Sequence, residues 1–168
     1  NEVTDESLEI ELKKRVDLRE KTIFTIDGAD TKDIDDAISL EIVDGIYNLI
    51  VSIADVSYYV TEGSPLDQEA LRRGTSSYLA DAVLPMLPHK LSNGICSLNE
   101  GVIRLTISCV MQINSEGNVV NHDIFPSYIK SAKKMTYKKV NDVIMRNKYD
   151  EEYAPFVEKL ELMNKLSA

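Results

Sequence analysis

The chain has 168 residues, of which 43% are apolar, and a formal net charge of −9. This size allows one hydrophobic core, so we expect a single domain or a large part of one. Two cysteines and no apolar run near 18 residues argue against a disulfide framework and a membrane span, and the acidic balance argues against unaided nucleic-acid binding, so we expect a cytoplasmic protein.

The first half of the chain is predicted to form a short helix, three strands and a second helix. In chain order these are a helix at 6–15, strands at 22–26, 37–43 and 46–53, and a helix at 65–73. Asp44-Gly45 predicts a tight hairpin between the second and third strands. Ser64 and Gly74 are the expected N-terminal and C-terminal caps of the second helix. We expect residues 55–60 to be extended.

The second half is predicted to contain long strands followed by helices. In chain order we expect a strand at 75–79, a proline-bounded connector at 84–88, a helical turn at 89–94, strands at 103–113 and 119–129, and helices at 136–145 and 155–166. Pro126 marks its strand as a sheet edge or a bulge, because proline has no N–H to donate. The whole pattern predicts an α+β fold, with a mixed, largely antiparallel sheet and flanking helices.

The most informative stretch is 25–36, where an apolar lead-in is followed by five aspartates within ten positions. At about 4 Å, each pair of carboxylates repels by roughly 1 kcal/mol in water, and by several-fold more in a partly dry pocket. A folded cluster therefore needs a cation. Carboxylate oxygens suit Mg²⁺, with Mn²⁺ as an alternative, and Mg²⁺ commonly completes its shell with water and substrate phosphate.

Two other interpretations of this stretch were considered. A calcium-binding EF-hand loop is excluded, because Ala29, Lys32 and Ile38 stand at loop positions that need an oxygen ligand, a glycine and a glutamate. A solvated acidic loop is the simpler alternative. The flanking apolar strands, however, would hold such a loop in place.

Ordered motifs across most of the chain carry a resemblance to a known family. They are TIDGADTKDIDDA at 25–37, IADVSYYV at 53–60, RGTSSY at 73–78, LPMLP at 84–88 and LSNGICSL at 91–98. Together they resemble the catalytic domain of the ribonuclease II and ribonuclease R family, also called the RNB family, and the ribonuclease R branch more closely. The resemblance implies processive, Mg²⁺-dependent hydrolysis of single-stranded RNA from its 3′ end, with release of nucleoside 5′-monophosphates. No DNA or membrane partner is expected.

The resemblance also assigns site residues. The four active-site aspartates of the family, which hold the metal, match Asp27, Asp33, Asp35 and Asp36. Tyr78 matches a tyrosine that stacks on the terminal base, and Tyr137 matches one that recognises the ribose. Without the resemblance, a lone tyrosine such as Tyr78 would be assigned to the core. We expect Asp30 to be solvent-exposed and Asp55 to make hydrogen bonds at a strand end.

The resemblance further implies that residues 1–168 form the N-terminal part of an RNB catalytic domain, with a lead-in segment at 1–20. The family's arginine cluster and OB-type RNA-binding domains would lie outside this sequence. We also expect the apolar residues of the last helix, Leu160, Leu162, Met163 and Leu166, to lack their packing partners. The isolated chain should therefore be inactive. The alternative function is a non-catalytic, metal-binding module that holds RNA or a protein.

Overall fold

The computed structural model describes residues 5–80, 82–146, 148 and 150–167. The first four residues of the predicted lead-in segment lie outside the described residues. Within these ranges, no helix combines the length and apolar character needed to cross a membrane.

The described residues form short and long strands interleaved with helices. The strands are β1 (Val16–Asp17), β2 (Thr25–Asp27), β3 (Asp36–Val43), β4 (Ile46–Ala54), β5 (Ser77–Tyr78), β6 (Val83–Leu84), β7 (Ile103–Ile113), β8 (Val119–Lys130) and β9 (Lys134–Thr136). The α-helices are α1 (Asp5–Leu12), α2 (Val56–Tyr59), α3 (Pro65–Arg73), α4 (Tyr137–Arg146) and α5 (Val157–Ser167). A π-helical segment spans Lys90–Ile95, and a 3₁₀ turn at Ala154–Phe156 leads into α5.

The centre of the fold is a five-stranded sheet in the order β1-β8-β7-β4-β3. All neighbours are antiparallel except β1, which pairs in parallel with β8. The β1 strand covers only Ser127 and Tyr128 of β8, so Pro126 lies at the sheet edge, where a missing N–H is tolerated. The predicted α+β fold with a mixed, largely antiparallel sheet is confirmed.

Local sequence signals placed several elements correctly. Asp44 and Gly45 both have positive φ, at 53° and 80°, which is the conformation that a two-residue hairpin needs. The α3 helix starts as predicted, because the Ser64 hydroxyl accepts a hydrogen bond from the Asp67 N–H at 3.2 Å. It ends at Gly74, whose φ of 72° is left-handed.

Two small sheets bring the predicted site residues together with the main sheet. In the first, β2 and β9 pair in parallel, and Asp27 lies beside Thr136. In the second, β5 and β6 form a hairpin in which Tyr78 faces Val83. The β9 strand was not predicted, because three residues are too few to show a period.

The C-terminal helix does have packing partners. Leu160 is buried in a cluster with Phe24, Met135, Val143 and Tyr153. Leu162, Met163 and Leu166 pack on a second cluster, formed by Leu40, Tyr47 and Ile113 of the central sheet. The expectation that these residues had lost their partners is therefore wrong. The reason is that α5 packs against β3, which lies more than a hundred residues earlier in the sequence. A contact between such distant segments leaves no local sequence pattern.

Residues 55–60 were expected to be extended, and this expectation is wrong for residues 56–59. Residues 56–59 form α2 because Asp55 caps them: its carboxylate accepts hydrogen bonds from the Ser57 hydroxyl at 2.6 Å and the Tyr58 N–H at 3.2 Å. A capping carboxylate satisfies N–H groups that a helix start would leave unpaired. The expectation that Asp55 makes hydrogen bonds at the end of a strand is confirmed.

Asp55 also anchors the lead-in segment to the sheet. Its Oδ2 lies 2.7 Å from Nη2 of Arg15, and the two side chains are only 4% and 5% exposed. Arg15 donates a further hydrogen bond to the Thr106 carbonyl of β7. Burial by itself would raise the pKa of Asp55, but hydrogen bonds from Ser57 and Arg15, together with the Arg15 charge, lower it below its ordinary value.

We predict that Asp55→Ala lowers the free energy of unfolding by about 2–3 kcal/mol, because it removes the cap of α2 and one of the two carboxylates that pair with the buried Arg15, the other being Glu11. Urea denaturation followed by circular dichroism measures this. As the matched control, Asp17→Ala removes the exposed pair with Arg19 and should lower the free energy of unfolding far less. The penalty should shrink in acid, because a carboxyl with a lowered pKa loses its stabilising effect as it is protonated. Equal penalties for the two variants would contradict this prediction.

Candidate functional site

The loop between β2 and β3 carries the predicted aspartates. Asp27 is the last residue of β2, and Asp36 is the first residue of β3, where it pairs with Ile53. Between them, the Ile34 side chain is fully buried, while Asp33 is half-buried and Asp35 is exposed. Ile34 therefore anchors the loop in the core, and the carboxylates on either side of it remain accessible. Asp30 is exposed, as expected.

Contacts from distant parts of the chain hold the backbone of this loop. The Ile34 N–H donates to the Ser97 hydroxyl at 3.1 Å, and the Ala54 N–H donates to the Asp35 carbonyl at 2.8 Å. The Lys134 ammonium group donates to the Thr31 carbonyl. Ser97 and Lys134 were not singled out from the sequence as site residues. Ser97 stands within one of the recognised motifs, but its position there does not reveal which backbone groups its side chain contacts.

Three carboxylates influence one another electrostatically. Asp27 is 8% exposed; burial raises its pKa, the Thr25 hydroxyl lowers it, and the charges of Asp36 and Asp35 raise it further. Partial desolvation also raises the pKa of Asp36, and the charge of Asp35 adds to that shift. Ionising Asp27 and Asp36 at neutral pH is therefore costly unless a positive charge is near. Lys134 lowers the pKa of Asp27 and offsets part of this cost.

The carboxylate chemistry fits a hard divalent cation. Oδ2 of Asp27 is buried, and no hydrogen-bond partner for it lies within the part of the chain that the structure describes. A buried carboxylate oxygen without a partner is costly, and a cation would satisfy it. Among the described residues, no group of three or more His, Cys, Asp or Glu side chains is arranged to hold a metal ion. A cation held by these carboxylates would complete its shell with water and substrate phosphate, as Mg²⁺ commonly does.

Asp33 faces a different neighbour. The Tyr78 hydroxyl donates a hydrogen bond to Oδ2 of Asp33 at 2.9 Å, and this bond raises the pKa of Tyr78. Both residues line a cleft of about 630 Å³ between the aspartate loop, the β5–β6 hairpin and the π-helical segment. The Tyr78 side chain is 66% exposed, so it is not a core residue. The structure thus places an accessible aromatic ring next to the aspartate loop.

Tyr137 follows the strand residue that pairs with Asp27. It is the first residue of α4, it is 65% exposed, and it follows Thr136, the residue that pairs with Asp27. The helix starts here because the Thr136 hydroxyl accepts a hydrogen bond from the Lys139 N–H, at 3.4 Å. The β2–β9 pairing therefore brings Tyr137 to the same end of the small sheet as Asp27.

The chain is similar to known proteins along most of its length. The sequence pattern of the RNB domain matches residues 15–168. Ribonuclease R of Thermotoga maritima is 58% identical over 147 residues, which cover 87% of this chain and 21% of that protein. The chain thus spans about a fifth of the length of this relative.

Solved structures give the same result for the fold. The structure of Mycoplasma genitalium RNase R in complex with double-stranded RNA superposes with a TM-score of 0.90 at 30% identity, covering 99% of this chain and 29% of that one. Yeast Ssd1, described as a pseudonuclease, superposes with a TM-score of 0.79 at 19% identity, covering 99% and 20%. The second likeness shows the fold alone.

We predict that Asp27→Asn raises the free energy of unfolding of the metal-free protein by about 1 kcal/mol at neutral pH, because a neutral amide is cheaper to bury than a carboxylate. A carboxyl group with a raised pKa binds its proton more tightly in the folded state than in the unfolded state. It therefore lowers the free energy of unfolding as the pH rises from acid to neutral. The gain should therefore vanish in acid.

Urea denaturation in the presence of a chelator measures this effect. The matched control is Asp30→Asn, at an exposed aspartate of the same loop, which should change stability little. Excess Mg²⁺ should reverse the order and favour the wild-type protein, because only its carboxylate pairs with the cation. A destabilised Asp27→Asn variant in chelator would contradict the prediction.

Proposed function

The chain belongs to the RNB family, and from this premise we propose that it is part of a hydrolytic exoribonuclease that degrades RNA from the 3′ end and releases nucleoside 5′-monophosphates. The observation that carries this proposal is the loop at 27–36, where Asp35 and Asp36 raise the pKa of the buried Asp27 and Asp33 accepts a hydrogen bond from the exposed Tyr78. The ribonuclease R name of the 58% identical relative supports it. The RNA complex of the Mycoplasma protein supports RNA as the ligand, and the preference for a single-stranded 3′ end is part of our proposal.

We assign the cation to the four aspartates named above. Asp27 would offer its buried Oδ2, which has no hydrogen-bond partner among the described residues, and Asp35 and Asp36 are the neighbouring carboxylates that raise its pKa. Asp33 would join this group while its carboxylate accepts the Tyr78 hydrogen bond. The bound ion, Mg²⁺ or Mn²⁺, would supply Lewis acidity to the phosphate and lower the pKa of a water.

The two tyrosines would hold the substrate. The exposed ring of Tyr78 would stack on a terminal base, and stacking tolerates any base, as a general RNA-degrading enzyme requires. The hydrogen bond to Asp33 would fix the direction of this ring. Tyr137, at the end of the β2–β9 pair, would contact the ribose of a nucleotide whose phosphate lies at Asp27.

The charge balance limits what this chain does by itself. With a net charge of −9, its surface repels RNA at long range. Charge that develops on the phosphoryl group in the transition state also needs positive groups beyond the metal. We therefore propose that the 168-residue chain alone has no measurable activity. Both cysteines are free, which suits a reducing compartment such as the cytoplasm.

A non-catalytic module that binds metal and RNA or a protein partner is the second candidate function. The fold shared with a pseudonuclease favours it, because that likeness separates the fold from the activity. The presence of all four aspartates that match the family's active site, Asp27, Asp33, Asp35 and Asp36, favours the enzyme instead.

Asp35→Asn separates these functions. In the protein at its natural length, we predict that it leaves RNA affinity within a few-fold and lowers the cleavage rate by about 100-fold or more, because it weakens the metal site more than RNA binding. Filter binding and single-turnover cleavage of a labelled oligo-adenylate measure the two quantities.

Asp30→Asn is the matched control and should retain activity. The 168-residue chain, assayed beside the natural-length protein, should release no mononucleotide. Equal losses of affinity and cleavage in Asp35→Asn would contradict the role assigned to this carboxylate.

A second experiment tests Tyr78. Tyr78→Ala should change the length of the final product more than the rate on long RNA, because a stacking contact of about 1–3 kcal/mol matters most when few nucleotides remain bound. Tyr78→Phe keeps the ring and loses only the hydrogen bond to Asp33, so its final product should match that of the wild type. A gel of end products decides the question. An unchanged product length in Tyr78→Ala would rule out the stacking role.

A further inference from the structure

We infer that Ser97 is a positioning residue, whose buried hydroxyl sets the directions of Asp33 and Asp35. The inference rests on the proposed function, because it concerns carboxylates to which we assign the cation. Ser97 is 1% exposed, so it does not itself contact RNA or solvent. Its effect on the site would pass through the backbone of the aspartate loop.

The Ser97 hydroxyl bridges two backbone groups that flank Asp33. It donates a hydrogen bond to the Lys32 carbonyl at 2.8 Å and accepts one from the Ile34 N–H at 3.1 Å. The next residue, Leu98, donates its N–H to the Ile34 carbonyl at 2.8 Å. Two consecutive residues therefore make three hydrogen bonds to the loop, which fix the three successive peptide groups between Lys32 and Asp35.

This bridge replaces a strand partner. Residues 31–35 lie outside every strand of the described chain, so a sheet ladder does not satisfy the Lys32 carbonyl or the Ile34 N–H. Without the hydroxyl, these groups would lose their partner beside the buried Ile34, which is unfavourable for backbone groups away from water. The loop would be expected to turn them toward water, and the side chains of Asp33 and Asp35 would move with the backbone.

Ser97 is in turn tied to the central sheet by Arg104 of β7. The Arg104 guanidinium donates to the Ser97 carbonyl at 2.8 Å through Nε, and to the Gly94 carbonyl at 3.0 Å through Nη2. This fork holds the segment after the π-helix against β7. The direction of the carboxylates is therefore transmitted from the sheet, through Arg104 and Ser97, to the loop.

The test compares Ser97→Ala with Ser108→Ala in the protein at its natural length. Ser108 is equally buried and its hydroxyl also makes two hydrogen bonds, but these join β7 to Ser52 of β4 and Ser127 of β8. Ser97→Cys keeps the size of the side chain with a weaker hydrogen-bonding group, and it carries the test if Ser97→Ala does not fold.

Three readouts separate positioning from general stability. Amide hydrogen exchange at 32–36, in chelator and without RNA, should be about 10-fold faster in Ser97→Ala and unchanged in Ser108→Ala. Mn²⁺ affinity, measured by electron paramagnetic resonance, should fall about 10-fold. This is the lower end of the range of losses in metal affinity that follow the removal of an outer-shell hydrogen-bond partner. Single-turnover cleavage should fall in parallel and recover at high Mn²⁺, while RNA affinity stays constant. Ser97→Cys should give intermediate values.

Wild-type exchange at 32–36 in Ser97→Ala would overturn the inference, and so would a loss of Mn²⁺ affinity no greater than that of Ser108→Ala. Failure of the proposed function looks different. In that case the wild-type protein would not cleave RNA, or Asp35→Asn would cleave as well as the wild type. The exchange experiment needs neither metal nor RNA, so it still decides whether Ser97 positions the loop.

Discussion

Repulsion among the carboxylates of the 27–36 loop is the constraint on which the rest of the structure depends. Burial and like charges raise the pKa of Asp27 and Asp36, so this conformation of the loop is unfavourable on electrostatic grounds alone. It persists because strands hold both ends and the side chain of Ile34 is buried between them. The stabilisation that holds the loop therefore comes from strand pairing and from the burial of Ile34, and not from the charged side chains.

The supports of the loop come from three distant parts of the chain. Ser97 follows the π-helix, Leu98 extends the same contact, Ala54 ends β4, and Lys134 begins β9. Each of them contacts the backbone of the loop, so its conformation depends little on the aspartate side chains. A site arranged in this way keeps the carboxylates available for a ligand and avoids using them as structural groups. The Tyr78 contact with Asp33 is the exception, and it joins the aromatic ring to the same loop.

The fold by itself does not decide the chemistry. A pseudonuclease and an RNA-bound ribonuclease R both superpose on the chain over 99% of its length. The sheet and helices are therefore compatible with more than one function, and the case for hydrolysis depends on the carboxylates and the exposed ring beside them. The acidic balance of the chain is consistent with this division, because it favours cation binding near Asp27 and disfavours unaided RNA binding.

The sequence by itself determined the elements whose signals are local: the Asp44-Gly45 hairpin, the caps of α3, and the long strand β7. It also determined the spacing of the aspartates. Only the tertiary structure decided that residues 56–59 are helical, that α5 packs on the sheet, and that Ser97 and Lys134 hold the loop. Ser97 lies 63 residues from Ile34, and Lys134 lies 103 residues from Thr31. A hydrogen bond between a side chain and a distant backbone group imposes no period on the sequence, so it becomes visible only when the chain is folded.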